Sequence, residues 1–198
     1  MIIFLNGATS SGKTMLAKAI QHLDEQPWLL LGIDTMINMM PSKYWAGGKK
    51  QNDGFYFTEI EDNAGVSMRI EAGQFGNKLS NAIADIACLL DKQGFNLIID
   101  EVLVTAESLK NYANKFSNNL VYFVGVYCDP KIIEEREILR GDRCIGSSRD
   151  QVERCHISVK RYDIKIDTSQ GSPFDCAKIV LDFIAKEPSP KALKEHAQ

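Results

Sequence analysis

The segment Gly7-Ala8-Thr9-Ser10-Ser11-Gly12-Lys13-Thr14 constrains the fold more than any other stretch, because its pattern, G-x-x-x-x-G-K-[ST], has meaning between a strand and a helix. Both neighbours are present: the apolar run Ile2-Ile3-Phe4-Leu5 precedes it, and Met15-Leu16-Ala17-Lys18-Ala19-Ile20 follows it. Gly7 and Gly12 permit backbone conformations that a Cβ would oppose, so successive N–H groups can turn inward at the positive end of a helix dipole. Residues Gly7, Ala8, Thr9, Ser10, Ser11, Gly12, Lys13 and Thr14 are therefore expected to cradle nucleotide phosphates. Lys13 supplies a mobile cation for the β and γ phosphates of ATP, and Thr14 a hydroxyl ligand for Mg²⁺. Hydrolases, switches and kinases share this device, so the rest of the chain has to choose among them.

The strand before the loop has four counterparts. Trp28 to Asp34, Asn96 to Val102, Val121 to Cys128 and Ile164 to Thr168 are nearly continuous apolar runs, the pattern of parallel strands covered on both faces. Helical stretches alternate with them: Lys13 to Leu23, Ala72 to Lys92, Ala106 to Phe116, Pro130 to Arg140, Arg149 to Arg161 and Pro173 to Lys186. The alternation predicts an α/β protein, a three-layer α/β/α sandwich around a five-stranded parallel sheet. A length of 198 residues fits a single domain, taken as residues 1–187.

Residues 41–66 carry Gly47-Gly48-Lys49-Lys50 and the aromatics Tyr44, Trp45, Phe55, Tyr56 and Phe57 without clear periodicity, and are read as an insertion shaping an acceptor pocket, with a packed hairpin as the alternative. Residues 188–198 read as a polar, frayed tail. A net charge of −3 gives no general field for nucleic acid or an anionic membrane, and no basic and apolar leader opens the chain, so a cytoplasmic protein is expected. Five cysteines without metal-type spacing read as reduced thiols.

Ligands of open parallel sheets bind beyond the carboxyl ends of the strands, which draws attention to the charges closing apolar runs. Asp34 closes one such run and suits a base, or orienter, for a substrate hydroxyl, although aspartate also caps helices. Asp100 closes another and suits a metal ligand alongside Thr14, with Glu101 as its substitute. Arg136 and Arg140 share a helix face, and Arg143 follows Gly141 on what reads as a mobile lid at about 140–149. Arginines there can offset charge on a transferring phosphate, or merely pair with Glu134, Glu135 and Glu137. Arg149, Arg154, Lys160 and Arg161 read as surface charges, and His156 as a structural histidine.

These residues together resemble the chloramphenicol phosphotransferase family of P-loop kinases. The likeness runs through Leu5-Asn6-Gly7 with Ser10 to Thr14, Pro27-Trp28-Leu29, Gly32 to Pro41, Ile98 to Val102, Val124 to Asp129, Arg136-Glu137, Arg140 to Arg143, and Tyr162-Asp163-Ile164 with Asp167-Thr168. The resemblance implies a shikimate-kinase-like fold, ATP with Mg²⁺, transfer to a primary hydroxyl of a small molecule with Asp34 as general base, and a lid containing Arg140 and Arg143. The segment from Lys43 to Gly65 departs most from the family pattern. Other readings are an NTP-dependent switch or ATPase and a kinase for an unrelated hydroxyl metabolite. Against a switch stand the absence of a guanine-reading N-K-x-D and of an evident water-positioning glutamine.

Overall fold

A computed structural model describes residues 1–62, 65–141 and 144–197. Five parallel strands, β1 (Ile2–Asn6), β2 (Trp28–Gly32), β5 (Asn96–Glu101), β6 (Val121–Tyr127) and β7 (Ile164–Asp167), form one sheet in the order β2-β5-β1-β6-β7. Two further strands, β3 (Phe55–Asp62) and β4 (Gly65–Ala72), pair only with each other as an antiparallel hairpin.

Seven helices accompany them: α1 (Lys13–Leu23), α2 (Ile33–Met39), α3 (Gln74–Lys92), α4 (Ala106–Lys115), α5 (Pro130–Arg140), α6 (Ser147–Ile157) and α7 (Pro173–Lys186). Strand alternation divides the core into two layers. Ile2 and Phe4 face α3 and α4 in one cluster with Ile83, Ala87, Leu109, Tyr112 and Phe116. Ile3 and Leu5 face α1 and α7 in another with Leu16, Ile20, Ala177 and Val180. The expected three-layer α/β/α sandwich with a five-stranded parallel sheet is therefore the observed one.

The order in which the chain adds its parallel strands changes side at β1, which lies between β5 and β6. The crevice beyond the carboxyl ends of these strands is the ordinary ligand position in such a sheet.

Four expectations need correcting. Strand β2 stops at Gly32 instead of running to Asp34, because α2 starts at Ile33 and takes Asp34 into its first turn. Gly32 is held there by close packing: a Cβ on it would lie 2.2 Å from the Asp100 carbonyl oxygen. The helix expected from Ala72 begins at Gln74, since Gly65–Ala72 is a strand. The helix expected over Arg149 to Arg161 runs from Ser147 to Ile157.

The terminal segment is not frayed: Ala192 and Leu193 are fully buried in the core cluster around α4. The backbone N–H groups of Lys191 and Ala192 donate to Asp163 at 3.0 Å, and Arg161 pairs with Glu195. Two buried apolar side chains and a carboxylate accepting backbone bonds outweigh the polar character of the rest.

Candidate active site

The phosphate loop joins β1 to α1, and its glycines answer to different demands. A Cβ on Gly7 would lie 2.4 Å from the Val126 carbonyl oxygen, so the first glycine is set by the approach of β6. Gly12 has φ +92°, so the second is set by backbone conformation. Ser10 also adopts a left-handed conformation, at φ 59°.

Three contacts hold the loop from outside. Asn6 donates from Nδ2 to the Cys155 carbonyl and to the Tyr162 hydroxyl, both at 2.7 Å, and accepts the Leu103 N–H at 2.9 Å. The Thr168 hydroxyl, at the end of β7, donates to the Ser11 carbonyl at 2.6 Å. Gln151 of α6 accepts the Thr9 N–H at 2.8 Å.

Lys13 donates to the Ala8 carbonyl at 2.8 Å and lies 3.7 Å from Asp100 Oδ1. The Thr14 hydroxyl donates to Asp100 Oδ2 at 2.6 Å. Sheet register accounts for this meeting: Asp100 pairs with Leu5 of β1 on one side and with Gly32 of β2 on the other, directly beside the loop. Hydroxyl and carboxylate oxygens are the hard donors that Mg²⁺ takes, with phosphates and water completing its shell.

Glu101, the next residue, is buried, and its Oε1 has no hydrogen-bond partner among the described residues. Burial first, and then the charge of Asp100, push its carboxyl up to about 8, while a hydrogen bond from the Ile33 N–H opposes them. That bond ties the end of β5 to the first turn of α2, which carries Asp34.

A cleft of about 1410 Å³ opens above these groups. Lys13, Thr14, Asp100, Asp34, Arg136 and Arg140 all line it. Asp34 is not the cap of α2; Gly32 occupies that position, without a side-chain cap. Arg136 donates to the Thr168 carbonyl at 2.8 Å and lies against Gly12, on the α1 and β7 side of the loop. Arg140 is exposed at the end of α5. Arg143 lies outside the described residues, as does Asp142.

Two of the three glutamates read as partners for these arginines make other bonds. Glu137 is buried and accepts from the Gly146 and Ser148 N–H groups and the Ser147 hydroxyl at 2.7 to 2.9 Å, closing the start of α6. Glu134 pairs with Arg149.

Trp45, Phe55, Ile70 and Ala72, from the segment before β3 and from the hairpin, also line the cleft. Trp45 contacts the rings of Phe55 and Phe57, each at 6.1 Å between centroids. Thus the segment 41–66 contributes both a packed hairpin strand and part of the cleft wall. Beside it lies a smaller cavity of about 190 Å³, lined by Thr9, Trp45, Phe57, Ile70, Cys144, Ser147 and Gln151.

Gln151 and Arg154 also line the main cleft, so Arg154 is not the surface charge its sequence neighbourhood suggested. Their one signal was spacing: Gln151 and Arg154, three apart on α6, share a helix face. His156 is the structural histidine expected: its ring stacks on Tyr127 at 4.1 Å, and its Nδ1 lies 2.6 Å from the Tyr162 hydroxyl. All five cysteines are free thiols.

A phosphate loop, a carboxylate bonded to its threonine and a walled cleft beyond them call for comparison with known proteins. The model of the family described as chloramphenicol phosphotransferase-like matches residues 1–185. The chain belongs to that family.

A protein of Mycobacterium tuberculosis provisionally named an O-phosphotransferase is 28% identical over 193 residues, 96% of this chain and 85% of the relative. Among solved structures, the chain is similar to the Mycobacterium tuberculosis APS kinase in complex with AMPPNP and APS. The TM-score is 0.61 at 15% identity, covering 93% of this chain and 96% of the kinase. It is also similar to shikimate kinase from Aquifex aeolicus, with TM-score 0.60 at 13% identity, covering 95% and 98%.

At those identities the structural likeness speaks for the fold, a nucleotide-binding P-loop kinase fold. Together with the family it makes this member of the chloramphenicol phosphotransferase-like family a phosphotransferase of the kinase class. No helix of the described residues is long and apolar enough to cross a membrane.

Proposed function

We propose that this enzyme transfers the γ-phosphoryl group of ATP to a hydroxyl of a small molecule, as a chloramphenicol 3-O-phosphotransferase does. The observation that carries the reading is a single cleft lined both by the Lys13, Thr14 and Asp100 cluster and by Asp34 on the first turn of α2. A phosphate-binding cluster with no second carboxylate beside it would suit a hydrolase equally well; Asp34 gives the cleft a group able to take a proton from an acceptor hydroxyl.

In this reading the loop amides and Lys13 hold the phosphates, and Arg136 steadies the nucleotide from the β7 side. Thr14 and Asp100 would hold Mg²⁺, which when bound offsets charge on the phosphate oxygens. Asp34 accepts the acceptor proton and aligns its oxygen. Arg140, with Arg143, belongs to the lid expected at about 140–149, whose last three residues form the first turn of α6, and balances charge on the group in flight. Catalysis is then mostly positioning and electrostatics, as phosphoryl transfer requires.

The aromatic wall of Trp45 and Phe55 suits an acceptor with a flat apolar part, and chloramphenicol is the first compound to try. The test is incubation with Mg-ATP and a panel of hydroxyl compounds that includes chloramphenicol, read as phosphorylated product by mass spectrometry. Product on any member supports the kinase and names its acceptor class. ADP release at one rate whatever the acceptor, with no product formed, would replace the reading with an ATPase or switch.

A further inference from the structure

Helix α6 makes three different attachments within six residues, and they define a place for one more cation in the reaction. Gln151 accepts the Thr9 N–H of the phosphate loop, and the Cys155 carbonyl accepts from Asn6 at the base of that loop. Arg154 lies between these anchors in sequence and lines the main cleft. It is thus carried by a wall fixed to the loop at two points. Arg136 is held elsewhere, at Thr168 beside Gly12.

The third attachment fixes the guanidinium itself. The Asp150 carboxylate, 6% exposed, is shared by two arginines: Arg154, four residues on, pairs with Oδ2, and Arg69 of β4 donates from Nη2 and Nε to Oδ1 at 2.7 and 3.1 Å. Asp150 serves both guanidinium groups, and Glu71 adds a second negative charge on the Arg69 side. Arg69 reaches Asp150 from the hairpin, whereas Arg154 lines the cleft, so of the two guanidinium groups it is Arg154 that an anion in the cleft meets. Arginine is also the side chain best matched to phosphate oxygens, because its planar fork offers paired donors.

We propose that Arg154 is a further catalytic residue that contacts the γ-phosphoryl group during transfer, and that Asp150 is the positioning residue that links it to Arg69 of the acceptor-side hairpin. The proposal rests on the kinase reading above. It adds a donor to the phosphoryl oxygens from α6, separate from Arg136 on α5. It also gives the hairpin a route to the chemistry: Met68 N–H to the Gly146 carbonyl at 3.2 Å and Arg149 to the Val66 carbonyl at 3.2 Å fasten β4 along the start of α6. A shift of the hairpin on acceptor binding would therefore be passed through Arg69 and Asp150 to Arg154.

The test compares the affinities of AMPPNP and ADP for the full chain in the presence of Mg²⁺, by calorimetry, so that the γ-phosphoryl contribution is read without knowing the acceptor. Arg154→Ala should lower the AMPPNP-to-ADP affinity ratio about 10- to 100-fold, the scale of lost bonds to a charged group, and leave ADP binding near its original value. Arg154→Lys, which keeps the charge and loses the fork, should fall between. Asp150→Asn and Arg69→Met should each lower the same ratio by a smaller factor, about 3- to 10-fold, since they displace the guanidinium without removing it.

A ratio within twofold of the original in both Arg154 variants would overturn the proposal. A lower melting temperature in Asp150→Asn with an unchanged ratio would make Asp150 structural and remove it as a positioning residue. Failure of the kinase reading would appear separately, as the absence of phosphorylated product from the acceptor panel.

Discussion

Around the phosphate loop the cleft rests on a strand with no exposed residue, Ile2–Asn6, whereas its other wall is a hairpin that pairs with no strand of the main sheet. The first wall is made by backbone: glycine conformations, loop amides, and the register that sets Asp100 beside Gly32 and Leu5. The second is made by side chains: Trp45 against Phe55 and Phe57, and Arg69 against Asp150. A backbone-built site suits a ligand part that does not change, the polyphosphate. A side-chain-built site can be altered by substitution without unfolding the sheet, which suits the acceptor of the proposed reaction.

If this division is right, the strongest way to break it is at the acceptor side of the chemistry. Asp34→Asn should lower kcat by about 10²- to 10⁴-fold, the usual worth of a positioned base, with ATP affinity retained. Turnover unchanged with a verified acceptor would remove Asp34 from the mechanism. Lys13→Ala strikes the phosphate loop and should cost about 10²- to 10³-fold in kcat while also weakening ATP, because one cation serves both binding and transfer. The contrast is the informative part, since one variant separates binding from turnover and the other does not.

The two walls also differ in how far they could be read from sequence. The loop was legible because its chemistry is local: eight consecutive residues between a strand and a helix. The sheet was legible because strands covered on both faces are nearly continuously apolar, as Ile2–Asn6 and Val121–Tyr127 are. The hairpin left a weaker trace. Val66, Met68 and Ile70 alternate with Ser67, Arg69 and Glu71, a period of two that is masked by abutting the onset of α3.

Asp150, Gln151 and Arg154 look like an ordinary solvated helix face, because their partners are distant in the chain. Arg69 is 81 residues from Asp150, and Thr9 is 142 from Gln151. The buried end of the chain was missed for a related reason: Ala192 and Leu193 are too few to make a periodic signal.

A smaller effect should sharpen the comparison within the acceptor wall. Trp45→Ala should raise the KM for the acceptor roughly 10-fold, the worth of one well-packed aromatic, and leave the KM for ATP unchanged. Steady-state kinetics with each substrate varied in turn decides it. Equal changes in both constants would mean that the ring supports the cleft as a whole and does not face the acceptor.

The smallest expected effect concerns the seam where α6 meets the donor half. His156 lies between Tyr127 of β6 and Tyr162, and burial, followed by the charge of Lys13, pushes its imidazole down to about 4 from an ordinary 6.5. The Tyr162 hydroxyl accepts from Asn6 and keeps its own proton to donate, and a neutral His156 whose Nδ1 is unprotonated can receive it. Protonation would reverse that bond and place a cation in a half-buried site. Because the folded value is the lower one, this stabilisation is fully present above about 6.5 and is lost as pH falls through about 4. Allowing for the partial exposure of the ring, the loss is on the order of 1 kcal/mol, a few degrees of melting temperature. His156→Phe keeps a ring against Tyr127 and removes the titration, so its melting temperature should fall less steeply than that of the original protein between pH 6.5 and 4. Parallel curves for the two proteins across that window would mean that the seam does not depend on a neutral imidazole, and that Asn6 and Cys155 hold α6 to the loop without it.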